Sequence, residues 1–387
     1  MEKKGKPNKK RALIALSGGI DSAVSAWKLI QAGYEVEAAF MKNWSSTAGL
    51  KYDECPWLID RQDALRVAAF LGIPMHTLNF EKQYGQTVLD YFFKEYKAGR
   101  TPNPDVMCNK EIKFKLLYNW AMDHGFDLVA TGHYAQVKKV KNENEKMKKV
   151  QGRGARLKKM AAKSASPGYT YHLARSKDEF KDQTYFIYNI KKSQLPHLHF
   201  PIGGMKKSDV RALARKIKLP NAEKKESMGL CFVGKVRLKE FLNQKLKPKP
   251  GPIVDMFGKK VGGHQGLAYY TIGQRQGLGV GAGGPWFVVK KDLRANKLLV
   301  TNDPNDKALE VKEIEIHSVN WLKELVRFPG KARARFRHQG DLVPVLIKKR
   351  SRGHYSIKFA KPQQAIASGQ SLVLYQGKVC LGGGVIV

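Results

Sequence analysis

The sequence predicts an α/β fold: a parallel sheet domain with helices on both faces, then a small central domain and a C-terminal β-barrel. Three observations predict it. An apolar run, Ala12-Leu13-Ile14-Ala15-Leu16, leads into a glycine loop and an amphipathic stretch, 23–31. Strand-like and helix-like segments then alternate to about residue 134. From Pro248 glycine density rises, and period-two alternation follows, as in Ala332-Arg333-Ala334-Arg335-Phe336-Arg337 and Ser371-Leu372-Val373-Leu374-Tyr375.

The loop after the first strand is Ser17-Gly18-Gly19-Ile20-Asp21-Ser22. Strand, glycine loop and helix in that order offer backbone N–H groups and a positive helix end to an anion. Gly18 and Gly19 permit close backbone approach. Ser17 and Ser22 add hydroxyl donors, and Asp21 is placed to cap the helix or help hold a phosphate-bound cation. The Gly-Lys-Ser/Thr ending of a Walker A loop is missing. An ordinary strand-to-helix turn uses similar residues. The order Ser-Gly-Gly-x-Asp-Ser directly after the first strand instead resembles the pyrophosphatase loop (PP-loop) of enzymes that split ATP into AMP and pyrophosphate.

Further along, Gly33 ends the first helix and 35–41 reads as a strand. Ala64, Leu65, Ala68 and Leu71 predict a helix over 61–71, stopped by Gly72. Residues 74–80 read as a strand, 84–97 and 109–124 as helices, and 127–131 as a buried strand ending in Gly132-His133-Tyr134. Ligands of such sheets bind beyond the carboxyl ends of the strands. The 17–22 loop, Met41 and Gly132-His133 all fall there. Residues 138–163 are strongly basic and poor in apolar side chains. They read as an exposed excursion between strands 135–140 and 169–174, either a solvated loop or a phosphate-contacting arm. Val210, Leu213, Ala214 and Ile217 predict a helix over 208–218, and 266–275 reads as a β element with a sharp loop. Residues 279–284 have the form Gly-x-Gly-x-x-Gly, but a predicted strand, 285–289, follows them. A dinucleotide fingerprint needs a helix there.

Lys and Arg number 70 against 33 Asp and Glu, a net charge of +37. Such an excess favours a polyanionic partner, although a Lys-rich solubilising surface has the same count. No apolar run approaches the length of about 18 residues that a spanning helix needs, and no membrane partner is expected. Met1-Glu2-Lys3-Lys4-Gly5-Lys6-Pro7 lacks the apolar centre of a signal peptide. Four scattered cysteines without a Cys-x-x-Cys pair argue against zinc-ribbon and thioredoxin frameworks and for a reducing cytoplasm.

Cys108 ends the stretch Thr101-Pro102-Asn103-Pro104-Asp105-Val106-Met107-Cys108, just before the helix predicted from Asn109. A thiol near a helix N-terminus has a lowered pKa. Asp105, one turn earlier, is placed to accept a proton or position a substrate. Cys231 lies between glycines 229 and 234, which suits a thiol that must move. Either cysteine taken alone reads equally as a small buried hydrophobe. Together, a phosphate loop, two thiols and a basic surface point to ATP-activated chemistry on nucleic acid. Pyrophosphate release turns a carbonyl oxygen into a leaving group, which a sulfur nucleophile displaces. An amide-forming PP-loop ligase and a non-catalytic RNA-binding protein are the two other readings.

Segments along nearly the whole chain, in order, resemble the MnmA family of tRNA-uridine 2-sulfurtransferases. They are 17–22, Asn103-Pro104-Asp105 with Cys108, 130–134, Lys181-Asp182-Gln183, Gly229-Leu230-Cys231-Phe232, 263–266, 271–275, Gly369-Gln370 and 379–384. The resemblance implies a PP-loop ATP-binding catalytic domain over 1–222, a central tRNA-binding domain over 223–306 and a barrel over 307–387. ATP, with Mg²⁺, would meet Ala15, Leu16, Ser17, Gly18, Gly19, Ile20, Asp21, Ser22, Met41 and Gly132. Asn103, Pro104 and Asp105 would receive the flipped wobble uridine of tRNA for glutamate, glutamine or lysine. His133, Lys181, Asp182, Gln183, Arg335, Phe336 and Gln370 match tRNA-contacting positions. Cys231 would carry a persulfide from a sulfur-donor protein, a cysteine desulfurase or a relay. Its terminal sulfur would attack C2 of the adenylated uridine or be released as sulfide, and Cys108 would complete release through a transient disulfide with Cys231. No resident metal is implied, and Cys55 and Cys380 are read as non-catalytic. The basic excursion and the N-terminal extension through Lys10 depart from the family pattern.

Overall fold

The computed structural model describes residues 9–45, 56–141, 168–225, 238–243, 245–247, 249–281, 284–325, 327–351 and 353–387. At its centre is β1 (Arg11–Ala15), whose Ala12, Leu13 and Ile14 are fully buried. β2 (Glu35–Lys42) and β4 (Leu128–Thr131) flank it in parallel, and β3 (Met75–Asn79) lies beyond β2. A strand covered on both faces is apolar at successive positions. Leu13, Ala15, Ala39 and Met41 face one core, with Phe92, Cys108 and Leu117. Ala12, Ile14, Leu16, Ala38 and Phe40 face the other, against α1 (Ile20–Gln31) and α2 (Pro56–Leu71).

β5 (Ala135–Lys141) and β6 (Tyr169–Arg175) form an antiparallel hairpin from Ala135↔Arg175 to Lys141↔Tyr169. The basic stretch between them, 142–167, lies outside the described residues. β7 (Leu198–His199) completes the first sheet, in the order β3-β2-β1-β4-β7. Several helices start earlier than their spacing predicts. α2 begins at Pro56, since proline suits a first helical position. The helix preceding Lys97 begins at Glu81 and passes through a π turn, Gly85–Leu89. The last, Lys207–Lys216, starts one residue early.

The central part is a four-stranded sheet of β8 (Gly251–Val254), β9 (Lys260–His264), β10 (Phe287–Asp292) and β11 (Lys297–Thr301), around Ile253, Val288 and Leu298. The β element expected over 266–275 is instead a short 3₁₀ turn, Leu267–Tyr269, followed by a tight turn. There Gly273 (φ +80°) approaches Ala365 so closely that a Cβ would stand 2.3 Å from the Ala365 Cβ. A strand following the glycine run, rather than a helix, is as expected.

The C-terminal strands are β12 (Val311–Trp321), β13 (Gly330–Arg335), β14 (Val343–Lys349), β15 (Tyr355–Gln363), β16 (Ser371–Gln376) and β17 (Val379–Ile386). β12 pairs with both β15 and β17, which closes a six-stranded barrel around Ile316, Ala334, Ile347, Ile357, Leu372 and Leu381. β17 also pairs with β6 at Val379↔Ala174, so the first part's hairpin is joined to the barrel wall. Among the described residues no helix is long and apolar enough to cross a membrane.

Candidate active site at the glycine loop

The 17–22 loop turns because Gly18 adopts φ +76°, and it lies against α2. A Cβ on Gly18 would stand 2.3 Å from the Asp60 carbonyl oxygen. The Asn221 amide fixes the Gly18 carbonyl at 2.9 Å. Ser22 is turned inward: its hydroxyl donates to the Gly19 carbonyl at 2.9 Å and accepts the Ser17 N–H at 3.2 Å. The hydroxyl donor expected of Ser22 is thus directed at the loop's own Gly19 carbonyl.

No side chain caps α1, since Gly19 is its N-cap. Its first-turn N–H groups and positive dipole end face the loop, as an anion site requires. Asp21 does not cap the helix. Its carboxylate accepts the Lys207 ammonium at 2.7 and 2.8 Å and the Tyr134 hydroxyl at 2.9 Å. Gly132 packs on the same helix end, where a Cβ would meet Ser22 N at 2.7 Å. Ala15 and Met41 lie nearby at the ends of β1 and β2, both buried. On α2, Asp60 and Asp63 hold Lys224 at 2.7 and 2.6 Å. Burial opposes the Lys224 charge, but hydrogen bonds to these two carboxylates outweigh it and raise its pKa.

A path of hydrogen bonds linked by short stretches of backbone leaves this loop. From Asp21 it passes to Tyr134, whose backbone is clasped by Gln183 twice, through the Gln183 N–H and Oε1, each at 2.9 Å. Two residues on, the Tyr185 hydroxyl lies 3.0 Å from Ser371 O and 3.4 Å from Gln370 Oε1. The Gln370 amide donates to the Thr101 and Pro102 carbonyls at 3.0 and 3.3 Å. Those residues lead into Asn103, which accepts the Val106 N–H at 3.2 Å as the N-cap of the helix Pro104–Cys108. The glycine loop and the Asn103-Pro104-Asp105 segment are thus ends of one network.

Cys108 is fully buried in the core. Its helix starts at Pro104 rather than Asn109 and continues as a π-helical stretch, Asn109–Leu117. The positive helix end therefore lies at Asp105 and Val106, a turn before the thiol, which corrects the expected position of Cys108. Cys231 and Cys55 lie outside the described residues. Cys380 is fully buried, and burial pushes its thiol up to about 12, which suits an inert residue.

Several residues expected at the tRNA surface are internal. Asp182 is fully buried and takes Arg335 at 3.1 Å and Arg175 at 3.3 Å. Arg335 and Phe336 are buried with it, at the junction of the first part and the barrel. His133 packs between Phe114 and Phe200, and Thr131 lies 2.7 Å from its Nδ1. Burial, then nearby Lys113, lowers its pKa well below the ordinary histidine value and keeps it neutral. Lys181, Gln183 and Gln370 are only partly buried. Lys207, Lys224, Asn221 and Tyr185 had no signal in the sequence.

Residues 10–235 match the tRNA methyl transferase HUP domain, 239–302 the tRNA methyl transferase PRC-barrel domain and 311–386 the aminomethyltransferase beta-barrel domain. The tRNA-specific 2-thiouridylase MnmA of Halalkalibacterium halodurans is 44% identical over 386 residues, covering 98% of this chain and 95% of that one. The chain belongs to the MnmA family. A second MnmA, from Shouchella clausii, is 43% identical over 97% of this chain and 96% of its own length. That of Lysinibacillus sphaericus is 42% identical over 98% and 95%. A solved 4-thiouridine synthetase–RNA complex with bound ATP covers 61% of this chain and 50% of its own, at 17% identity and TM-score 0.35, too weak a likeness to carry argument.

Proposed function

We propose that this protein is an ATP-dependent tRNA sulfurtransferase that replaces the C2 oxygen of the wobble uridine with sulfur. The observation that carries the reading is the network from Asp21 through Tyr134, Gln183, Tyr185 and Gln370 to the Asn103 segment. It couples an anion-binding helix end to a second polar segment in a chain 44% identical to a 2-thiouridylase.

Pyrophosphate fits the uncapped end of α1, with Lys207 and the Asp21 that it holds beside the phosphates. Mg²⁺ would arrive with the nucleotide and meet Asp21. Asn103, Pro104 and Asp105 hold the extruded uridine, and its O2 attacks the α-phosphorus with loss of pyrophosphate. The terminal sulfur of a Cys231 persulfide, delivered by a donor protein, then attacks C2 and AMP leaves. Cys108 thiolate attacks the Cys231 sulfur and breaks the S–S bond. The new C2–S group remains on the base, and a Cys108–Cys231 disulfide forms for an external thiol to reduce. Asp105 takes up a proton in these steps. Because Cys108 is buried, its helix or the surrounding side chains must shift before that attack. Gln183 and the buried Asp182–Arg335 pair act by positioning.

The test incubates the protein with ATP, Mg²⁺, a persulfide source and unmodified tRNA for glutamate, glutamine or lysine, and measures 2-thiouridine by mass spectrometry. Wild type yields product. Cys108→Ser and Cys231→Ser yield none while still releasing pyrophosphate in the presence of tRNA. Pyrophosphate release that needs a small amine instead of tRNA would sink the reading in favour of a ligase.

A further inference from the structure

We propose that Phe180 is a stacking platform for an unpaired tRNA base next to the one that is thiolated. The proposal rests on the reading of tRNA as substrate. Phe180 is 67% exposed, yet it stands on a firmly held bend. Asp178 accepts the Lys181 N–H at 3.1 Å and the Lys207 N–H at 2.9 Å. The Lys177 N–H donates to the Gly203 carbonyl at 2.9 Å, and the Ser176 N–H to Asp182 at 3.3 Å. A ring presented on a tethered turn gives up little freedom when a ligand covers it.

The chemistry around the ring selects the ligand. The Lys181 ammonium lies 6.0 Å from the ring centre and Lys177 is exposed on the same bend, while the exposed Glu179 beside the ring is turned to Arg175 at 3.5 Å and Asp178 is engaged by backbone N–H groups. An aromatic face edged by cations suits single-stranded nucleic acid, whose bases stack while its phosphates follow the charge. The position selects the base. Lys207, which anchors the bend through its N–H, holds Asp21 of the glycine loop through its ammonium. Gln183, three residues after Phe180, clasps Tyr134. The ring therefore borders the network that joins the two halves of the site. Extruding a base leaves its neighbours unstacked, and an exposed ring beside the site replaces one lost stacking partner.

The test compares wild type with Phe180→Trp, Phe180→Leu and Phe180→Ala at one salt concentration. Each is titrated with unmodified tRNA and with tRNA carrying 2-aminopurine beside the target uridine. We expect Leu and Ala to weaken tRNA binding roughly ten-fold and to lose the 2-aminopurine quenching, with Trp like wild type. ATP affinity and the thermal midpoint stay unchanged in all three. Leucine binding as well as phenylalanine would overturn stacking in favour of simple apolar contact. Equal tRNA binding by all four proteins, with sulfur delivery slowed in Phe180→Ala, would overturn it in favour of a protein contact. If wild type neither binds nor thiolates tRNA, the substrate reading itself has failed, an outcome distinct from a loss of stacking alone.

Discussion

At the residue scale, two positions show how little room the chain has. A methyl group on Gly132 would stand 2.7 Å from Ser22 N and 2.8 Å from the Asp21 carbonyl carbon, both backbone atoms of the first turn of α1. Gly132→Ala must therefore displace the helix end that we propose meets the phosphates. We expect ATP-dependent pyrophosphate release to fall roughly 100-fold, about 2.7 kcal/mol of transition-state stabilisation, measured by pyrophosphate assay on folded variant. Unchanged turnover would mean that this helix end does not meet the nucleotide. Lys291 carries a different constraint. Burial pulls its ammonium down to about 8 from the ordinary 10.5, and it donates to the Tyr270 carbonyl at 3.0 Å. Between those two values the unfolded chain binds more protons, so stability rises with pH there, and the full cost applies below 8. Lys291→Met should stabilise the protein by about 1–3 kcal/mol at pH 7, after losing that hydrogen bond. The gain should vanish near pH 10.5, as urea melts at several pH values will read.

At the scale of elements, the Asp182 junction decides how the short helix Thr184–Ile187 sits. The Asp182 carboxylate also takes the Thr184 hydroxyl at 2.9 Å, so three side chains from two parts of the chain meet on one group, with the Ser176 N–H as a further donor. Asp182→Ala leaves two buried guanidinium groups facing each other. It should cost about 3–5 kcal/mol in thermal or urea unfolding, whereas Lys115→Ala, which removes an exposed ion pair, should cost under about 0.5. The same elements mark what the sequence revealed. β1, the glycine loop and α1 were legible because strand, turn and helix signals are local and consecutive. The helix at Pro104 has readable signals, an Asn cap and a proline at its first position, although the sequence reading placed the helix start at Asn109. Over 266–275 the sharp loop is present but the expected β element is not: its aromatic and β-branched residues match strand preferences, while the contact with Ala365 that shapes it is non-local. Lys207 reaches Asp21 across 186 positions, and no periodicity registers such a pairing. The burial of Asp182 and Arg335 likewise depends on the barrel docking where it does.

For the whole molecule, a charge of +37 is the dominant long-range property. If phosphate contacts account for most tRNA affinity, the logarithm of the binding constant should fall linearly with the logarithm of salt concentration, with a slope near −0.7 to −0.9 per contact. Filter binding between 50 and 200 mM salt should then lose roughly 10³-fold for about six contacts. A flat response would assign the charge to solubility. The three family regions divide the chain neatly, but its hydrogen bonds do not follow that division. β17 is bound to β6 at Val379↔Ala174, and the Arg175 N–H donates to the Lys378 carbonyl at 2.8 Å. The Thr101 N–H likewise donates to the Ser368 carbonyl at 2.8 Å. The barrel is consequently no interchangeable cartridge. A chimera that imports only the residues after 306 from a relative would bring a final strand cut to another protein's hairpin. One that transplants 135–175 along with them would carry both sides of the β6–β17 pairing, while the Thr101–Ser368 and Asp182–Arg335 contacts would still cross the joint.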